Sequence, residues 1–88
     1  MKVIFDQSFH KRLIKIDDKT LLEKIKKVIL NVESAEGIQQ IHSIKKMEGF
    51  KTYYRIRVGD FRIGLEIKKD TVLFITIANR KEIYKIFP

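Results

Sequence analysis

The sequence predicts an α+β fold: an N-terminal strand, an antiparallel helical hairpin, a three-strand antiparallel meander and a short C-terminal helix. Two observations carry this. Between residues 6 and 32 apolar side chains recur at helical spacing, whereas after Gly49 they alternate with polar ones at the strand period of two. The strand-type half is punctuated by "GD" at Gly59 and "KKDT" at Lys68, and no proline interrupts it, the single proline being Pro88. Helices preceding such a meander pack on one face of the sheet, which leaves the other face free as a working surface.

"KVIF" at Lys2 to Phe5 is the first strand. It stops at "DQS", where Asp6 or Ser8 can accept hydrogen bonds from the free N–H groups of a first helical turn. Phe9, Leu13 and Ile16 form an apolar stripe, with His10, Lys11, Arg12 and Lys15 on the other side. "DDK" at Asp17 to Lys19 breaks this pattern and offers caps for a second helix from about Lys19 to Val32. Its stripe is Leu22, Ile25, Ile29 and Val32, with Leu21 and Val28 at the edge. From Glu33 to Gly49 the pattern is irregular, and Ile38, Ile41 and Ile44 suggest a short helical turn against the core. Strands follow at Lys51 to Val58, Phe61 to Ile67 and Val72 to Ala78, with Gly59-Asp60 suited to a two-residue type II′ turn. "NRKEIYKIF" at Asn79 to Phe87 closes the chain as a short helix or turn, with Arg80 and Tyr84 at i, i+4 on one side.

At 88 residues the chain is expected to form one domain over residues 1–88. Lys and Arg number 19 against 11 Asp and Glu, giving a net charge of +8 and a pI near 9.8. That balance suits polyanionic partners: nucleic acid, an acidic protein segment or an anionic membrane. Without cysteine, the chain has no disulfide, thiolate metal site or cysteine nucleophile. No apolar run approaches the roughly 20 residues of a membrane-spanning helix, and the N-terminus lacks a signal-peptide pattern, so a soluble protein of the cytoplasm is expected.

A two-residue turn at Gly59-Asp60 sets the register of the hairpin "YYRIRVGDFRIGLEI". Val58 then pairs with Phe61, Arg57 with Arg62, Ile56 with Ile63, Arg55 with Gly64, Tyr54 with Leu65 and Tyr53 with Glu66. Tyr54, Ile56 and Val58 share the core face with Phe61, Ile63, Leu65 and Ile67, while Arg55, Arg57, Arg62 and Gly64 share the opposite face. Like charges directly across a strand pair disfavour a fold by roughly 0.2–1 kcal/mol, so Arg57 facing Arg62 calls for an anion between them. Phosphate fits, because a guanidinium is planar, always charged and able to donate two parallel hydrogen bonds. Gly64, opposite Arg55, leaves room for a ligand's backbone to approach.

The competing reading is a solvated basic face, with Glu66 paired to one arginine across a diagonal. Other candidates are weaker. His10 and His42 lack partners at metal spacing, and Asp17 and Asp18 fit helix caps better than a carboxylate pair. Lys24, Lys26 and Lys27 fit the solvent face of the second helix. Tyr84 either packs with Ile83, Ile86 and Phe87 or presents a hydroxyl near Arg80.

"KKMEGFKTYYRIRVGDFRIGLEI" and "VLFITIANRKEIYKIFP", covering most of Lys45 to Pro88, resemble the second half of the RelE/ParE superfamily of toxins from bacterial toxin–antitoxin pairs. The opening strand and helices fit the same layout with generic sequence. The resemblance implies a compact toxin neutralised by a cognate acidic antitoxin wrapping around it. The RelE branch cleaves messenger RNA in the ribosomal A site without a metal or small-molecule cofactor. The ParE branch poisons DNA gyrase, and a catalytically degraded relative would keep binding alone. By position the RelE catalytic set falls on Arg57, Arg62, Arg80 and Tyr84, with Arg55, Lys51 and Tyr53 beside them as nucleic-acid-binding residues. The implied reaction is attack of a ribose 2′-hydroxyl on the adjacent phosphorus, which needs charge stabilisation, alignment and proton transfer at both ends. Two departures bear on the last requirement. Arg55 and Arg57 stand where well-studied RelE toxins carry lysines, and a guanidinium does not give up its proton in proteins. Asn79 stands where many relatives have histidine, which leaves proton transfer to Tyr84, Glu48 or ribosomal groups.

Overall fold

The computed structural model describes residues 1–88. Its elements are β1 (Lys2–Phe5), α1 (Gln7–Leu13), α2 (Lys19–Ser34), a 3-10 turn at Ile38–Gln40, β2 (Ile44–Lys46), β3 (Tyr53–Val58), β4 (Phe61–Lys68), β5 (Thr71–Asn79) and α3 (Ile83–Ile86). The strands form one sheet in the order β1-β5-β4-β3-β2. Only β1 runs parallel to its neighbour, β5, as expected of a strand returning after a helical crossover. The α+β architecture expected from the sequence is present, with one strand more than the pattern announced.

The two helices start at aspartates. Asp6 accepts a hydrogen bond from Ser8 N at 3.0 Å, and Asp18 accepts from Thr20 N at 3.0 Å and Leu21 N at 3.2 Å. Phe9 is buried, stacks with Phe5 at a ring-centroid distance of 5.6 Å and meets Phe74 edge to face at 5.4 Å. Leu13 and Ile16 pack at the edge of the same core, although α1 ends at Leu13 and Ile16 lies in the turn beyond it. On α2 the buried stripe is Leu21, Ile25 and Val32, flanked by Val28 and Ile29, so Leu21 takes the central place assigned to Leu22. α1 lies against β5, and α2 bridges β1 and β3.

The irregular segment resolves into two pieces. Ile38–Gln40 forms the expected short turn and Ile41 is buried, but Ile44 begins β2, paired with Ile56. That edge strand was missed because three residues cannot display a period of two, and its pairing is entirely tertiary.

The hairpin register matches residue for residue: all six pairs from Tyr53↔Glu66 to Val58↔Phe61 are as expected. Gly59 has φ 59° while Asp60 is not among the residues of positive φ, the combination that defines a type II′ turn. Between β4 and β5 a bulge leaves Ile75 unpaired, since Leu65 faces Phe74 and Gly64 faces Thr76.

Both faces of the sheet carry apolar clusters. The main core lies under α1 and α2 and takes in Ile56, Val58, Ile63, Leu65, Val72 and Phe74. On the opposite face Ile83 and Phe87 of the C-terminal segment pack on Ala78, with Met47, Tyr53 and Ile75 around them. The second face is therefore only partly free, contrary to expectation. A short apolar helix needs somewhere to bury its residues, and the β5 end of that face supplies it.

Candidate functional site

The far face of β2, β3 and β4 carries the basic residues. Arg57 stands opposite Arg62, and Lys45 of β2 stands opposite Arg55. Lys45 is the residue sequence reasoning missed, for want of the strand that carries it. Arg55 and Arg62 are half-buried, whereas Arg57 is exposed. The Arg62 guanidinium is steadied at the hairpin end, where Nη1 donates to Gly59 O at 3.0 Å and to Phe61 O at 2.9 Å. Its Nε and Nη2 are left for another acceptor.

Beyond β5, the main-chain N–H of Arg80 donates to Asp60 O at 2.8 Å, which brings Arg80 alongside the β3–β4 turn. The chain then bends because Asn79 Oδ1 accepts from both Lys81 N and Glu82 N, each at 2.9 Å. Asn79 thus shapes the approach to α3. Arg80 lies in this bend and not on α3, so the helical i, i+4 relation to Tyr84 expected from the sequence does not hold. Tyr84 itself is 57% exposed. Of its two sequence readings, packing is the one the structure removes, since Ile83 and Phe87 do the anchoring.

The ion-pair pattern bears on the competing reading of a neutralised basic face. Glu66 accepts from Thr52 Oγ1 at 3.0 Å and lies 3.7 Å from Lys68 Nζ, and no arginine of the face is within salt-bridge distance of it. The one arginine that is ion-paired is Arg12, with Glu82 at 2.8 Å, on the approach to α3.

Gly64 departs from its sequence reading. A Cβ built there would lie 2.6–2.8 Å from three ring atoms of Phe87, so the gap opposite Arg55 is filled by the protein's own C-terminal segment. Tyr53 continues this aromatic row, meeting Phe87 at 5.6 Å and Phe50 at 5.5 Å, both edge to face. Lys51 is exposed in the bend ahead of β3 and Glu48 in the turn before it. His10 and His42 are exposed and separate, and no three His, Asp or Glu side chains are gathered as a metal would require.

A family model described as the ParE toxin of the type II toxin–antitoxin system parDE matches residues 3–84. Toxin RelE3 of Methanocaldococcus jannaschii is 38% identical over 89 aligned residues, covering 100% of both chains. The chain belongs to the RelE/ParE toxin superfamily. Among solved structures of this superfamily, the toxin of a RelB–RelE antitoxin–toxin complex from Methanococcus jannaschii is similar with a TM-score of 0.81 and 35% identity, over 97% of this chain and 99% of that one. A RelE–RelB complex from Pyrococcus horikoshii gives a TM-score of 0.73 at 18% identity, over 90% and 93% of the two chains, a likeness of fold. In this RelE/ParE-type chain the basic face lies toward the hairpin end, with the C-terminal segment folded back beside it.

Proposed function

We propose that this RelE/ParE-type toxin is RelE-like: an endoribonuclease of the cytoplasm that cleaves messenger RNA in the ribosomal A site without a metal. The observation that carries the reading is that Arg55, Arg57, Arg62 and Arg80 stand around one hairpin end without a carboxylate partner, although Glu66 lies on the same face. Unpaired arginines held at cross-strand distance suit a polyanion, and the tetrahedral phosphate of RNA uses their forked donors.

In the proposed reaction the ribose 2′-oxygen attacks the adjacent phosphorus, the bond from phosphorus to the 5′-oxygen breaks, and a 2′,3′-cyclic phosphate forms. The 2′-hydroxyl loses its proton and the leaving 5′-oxygen gains one. Arg62 and Arg80 hold the scissile phosphate, Arg57 meets the charge developing on it, and Tyr84 stacks on a base or orients the hydroxyl. Arg55, Lys51 and Tyr53 extend the RNA contact. RelB is the partner in both archaeal complexes; for this chain, a cognate acidic antitoxin neutralises the toxin by lying across this face, and its grip weakens with salt to the extent that charge provides it.

The test is induction of the protein with 5′ ends of messenger RNA mapped by primer extension. Cuts confined to translated frames are expected, and Arg62→Ala or Arg80→Ala should lower cleavage by roughly 10²–10³ while leaving the fold intact, the usual loss for one electrostatic stabiliser. Unchanged toxicity in both variants rejects the reading. A second reading, a gyrase inhibitor without nuclease activity, draws on the ParE description of the matching family model. It would be favoured by supercoiling blocked at toxin levels that leave translation untouched.

A further inference from the structure

A second basic feature lies around the hairpin end from the arginine face. Past the pairing of β2 with β3, α2 runs alongside the Arg57 to Gly59 stretch, leaving a groove of about 300 Å³. Lys24 and Lys27, three residues apart and therefore on one side of α2, line one wall, and Arg57 lines the other. His42 and Ser43 also line it. No carboxylate lines the groove, and none of these side chains takes part in an ion pair.

The groove is built rather than incidental. Asn31 of α2 clamps its rim, donating Nδ2–H to Gln40 O at 3.1 Å and accepting from His42 N through Oδ1 at 3.0 Å. The next residue, Ser43, sits at φ 60°, a left-handed conformation that a non-glycine residue adopts at some cost. Its carbonyl accepts from Arg57 N at 3.2 Å, tying the rim to the strand that carries the arginine. Strain and side-chain clamping shape a cationic trough beside the part of β3 that carries Arg57, a residue that also stands opposite Arg62 on the arginine face.

Resting on the nuclease reading above, we infer that this groove is a binding track for the phosphate backbone of an RNA strand continuing past the arginine face, with Lys24 and Lys27 as its phosphate contacts. Backbone contacts of this kind position a strand and carry no sequence preference. Arg57 joins the track to the site of chemistry. The lysines of α2 thereby divide: Lys24 and Lys27 serve the groove, and Lys26 faces solvent elsewhere on the helix.

The experiment measures binding, separately from cleavage, of a fluorescent 2′-O-methyl RNA oligonucleotide by anisotropy across a range of salt. The Lys24→Gln/Lys27→Gln variant is compared with a Lys19→Gln/Lys26→Gln variant that removes equal charge from α2 outside the groove. Each single-strand phosphate contact contributes about 0.7 to the slope of log affinity against log salt, so the groove variant should lose about 1.4 and bind more weakly at every sequence. The control should stay close to the parent. Equal losses in both variants overturn the proposal, because long-range charge would then explain them. It is also overturned if the groove variant binds RNA as the parent does but loses affinity for an acidic antitoxin peptide. The two ideas stay apart: a parent protein that binds RNA through the groove but never cleaves it upholds the track and rejects only the nuclease reading, whereas an Arg62→Ala variant that keeps groove-dependent binding while losing cleavage upholds both.

Discussion

Gly64 shows how one atom's absence organises this surface. Opposite Arg55 on β4, it accepts the ring of Phe87, and a methyl group there would sit 2.6–2.8 Å from three ring carbons. Phe87 is buried with Ile83 and Ala78, and between Ile83 and Phe87 the chain presents Tyr84 to solvent. Gly64→Ala should therefore cost about 1–3 kcal/mol through overpacking, and Phe87→Ala about 3 kcal/mol through the lost ring. The double variant should cost clearly less than the two together, since the clash disappears with the ring. Urea unfolding of the three variants reads this directly, and additive losses would mean that Phe87 does not seat on Gly64. The glycine's importance was legible in the sequence, but its occupant was not. Strand alternation identifies an empty position, and only the folded C-terminal segment shows what fills it.

At the scale of elements, legibility followed how local the determining interaction is. The β3–β4 register came out pair by pair because a two-residue turn sets it without reference to the rest of the chain. β2 and the bulge at Ile75 depend on neighbours distant in sequence, and neither leaves a local mark. Helix starts lie between these cases. "DDK" offers two aspartates as caps, and the structure uses Asp18, which accepts from Thr20 N and Leu21 N. Asp18→Ala should then lower stability by about 1 kcal/mol, whereas Asp17→Ala, which removes no hydrogen bond, should change it by less than about 0.5 kcal/mol. Thermal melts of the two variants suffice, and a reversed order would place the helix start one residue earlier. The same locality explains the error over Arg80. Its spacing from Tyr84 is helical in sequence, yet Asn79 turns the chain before α3 begins.

For the whole molecule, the decisive quantity is a charge of +8 distributed so that cations face one another across strands, Arg57 against Arg62 and Lys45 against Arg55. Such pairs oppose folding, and a sequence shaped for stability alone would not retain them on a face where Glu66 is available but engaged by Thr52 and Lys68. If the arrangement exists to hold a phosphate, stability and activity must pull in opposite directions at these positions. Arg57→Thr replaces one member of a repelling pair with a residue that suits a strand, and should raise stability by about 0.2–1 kcal/mol. It should also weaken growth arrest on induction. Inorganic phosphate at matched ionic strength should raise the melting temperature of the parent more than that of the variant, because the anion relieves repulsion that the variant no longer has. A variant that is less stable, equally toxic and equally responsive to phosphate would show that Arg57 is held for packing along its aliphatic stem. A gain in stability paired with a loss of toxicity would tie the unpaired cations to function at the cost of the fold.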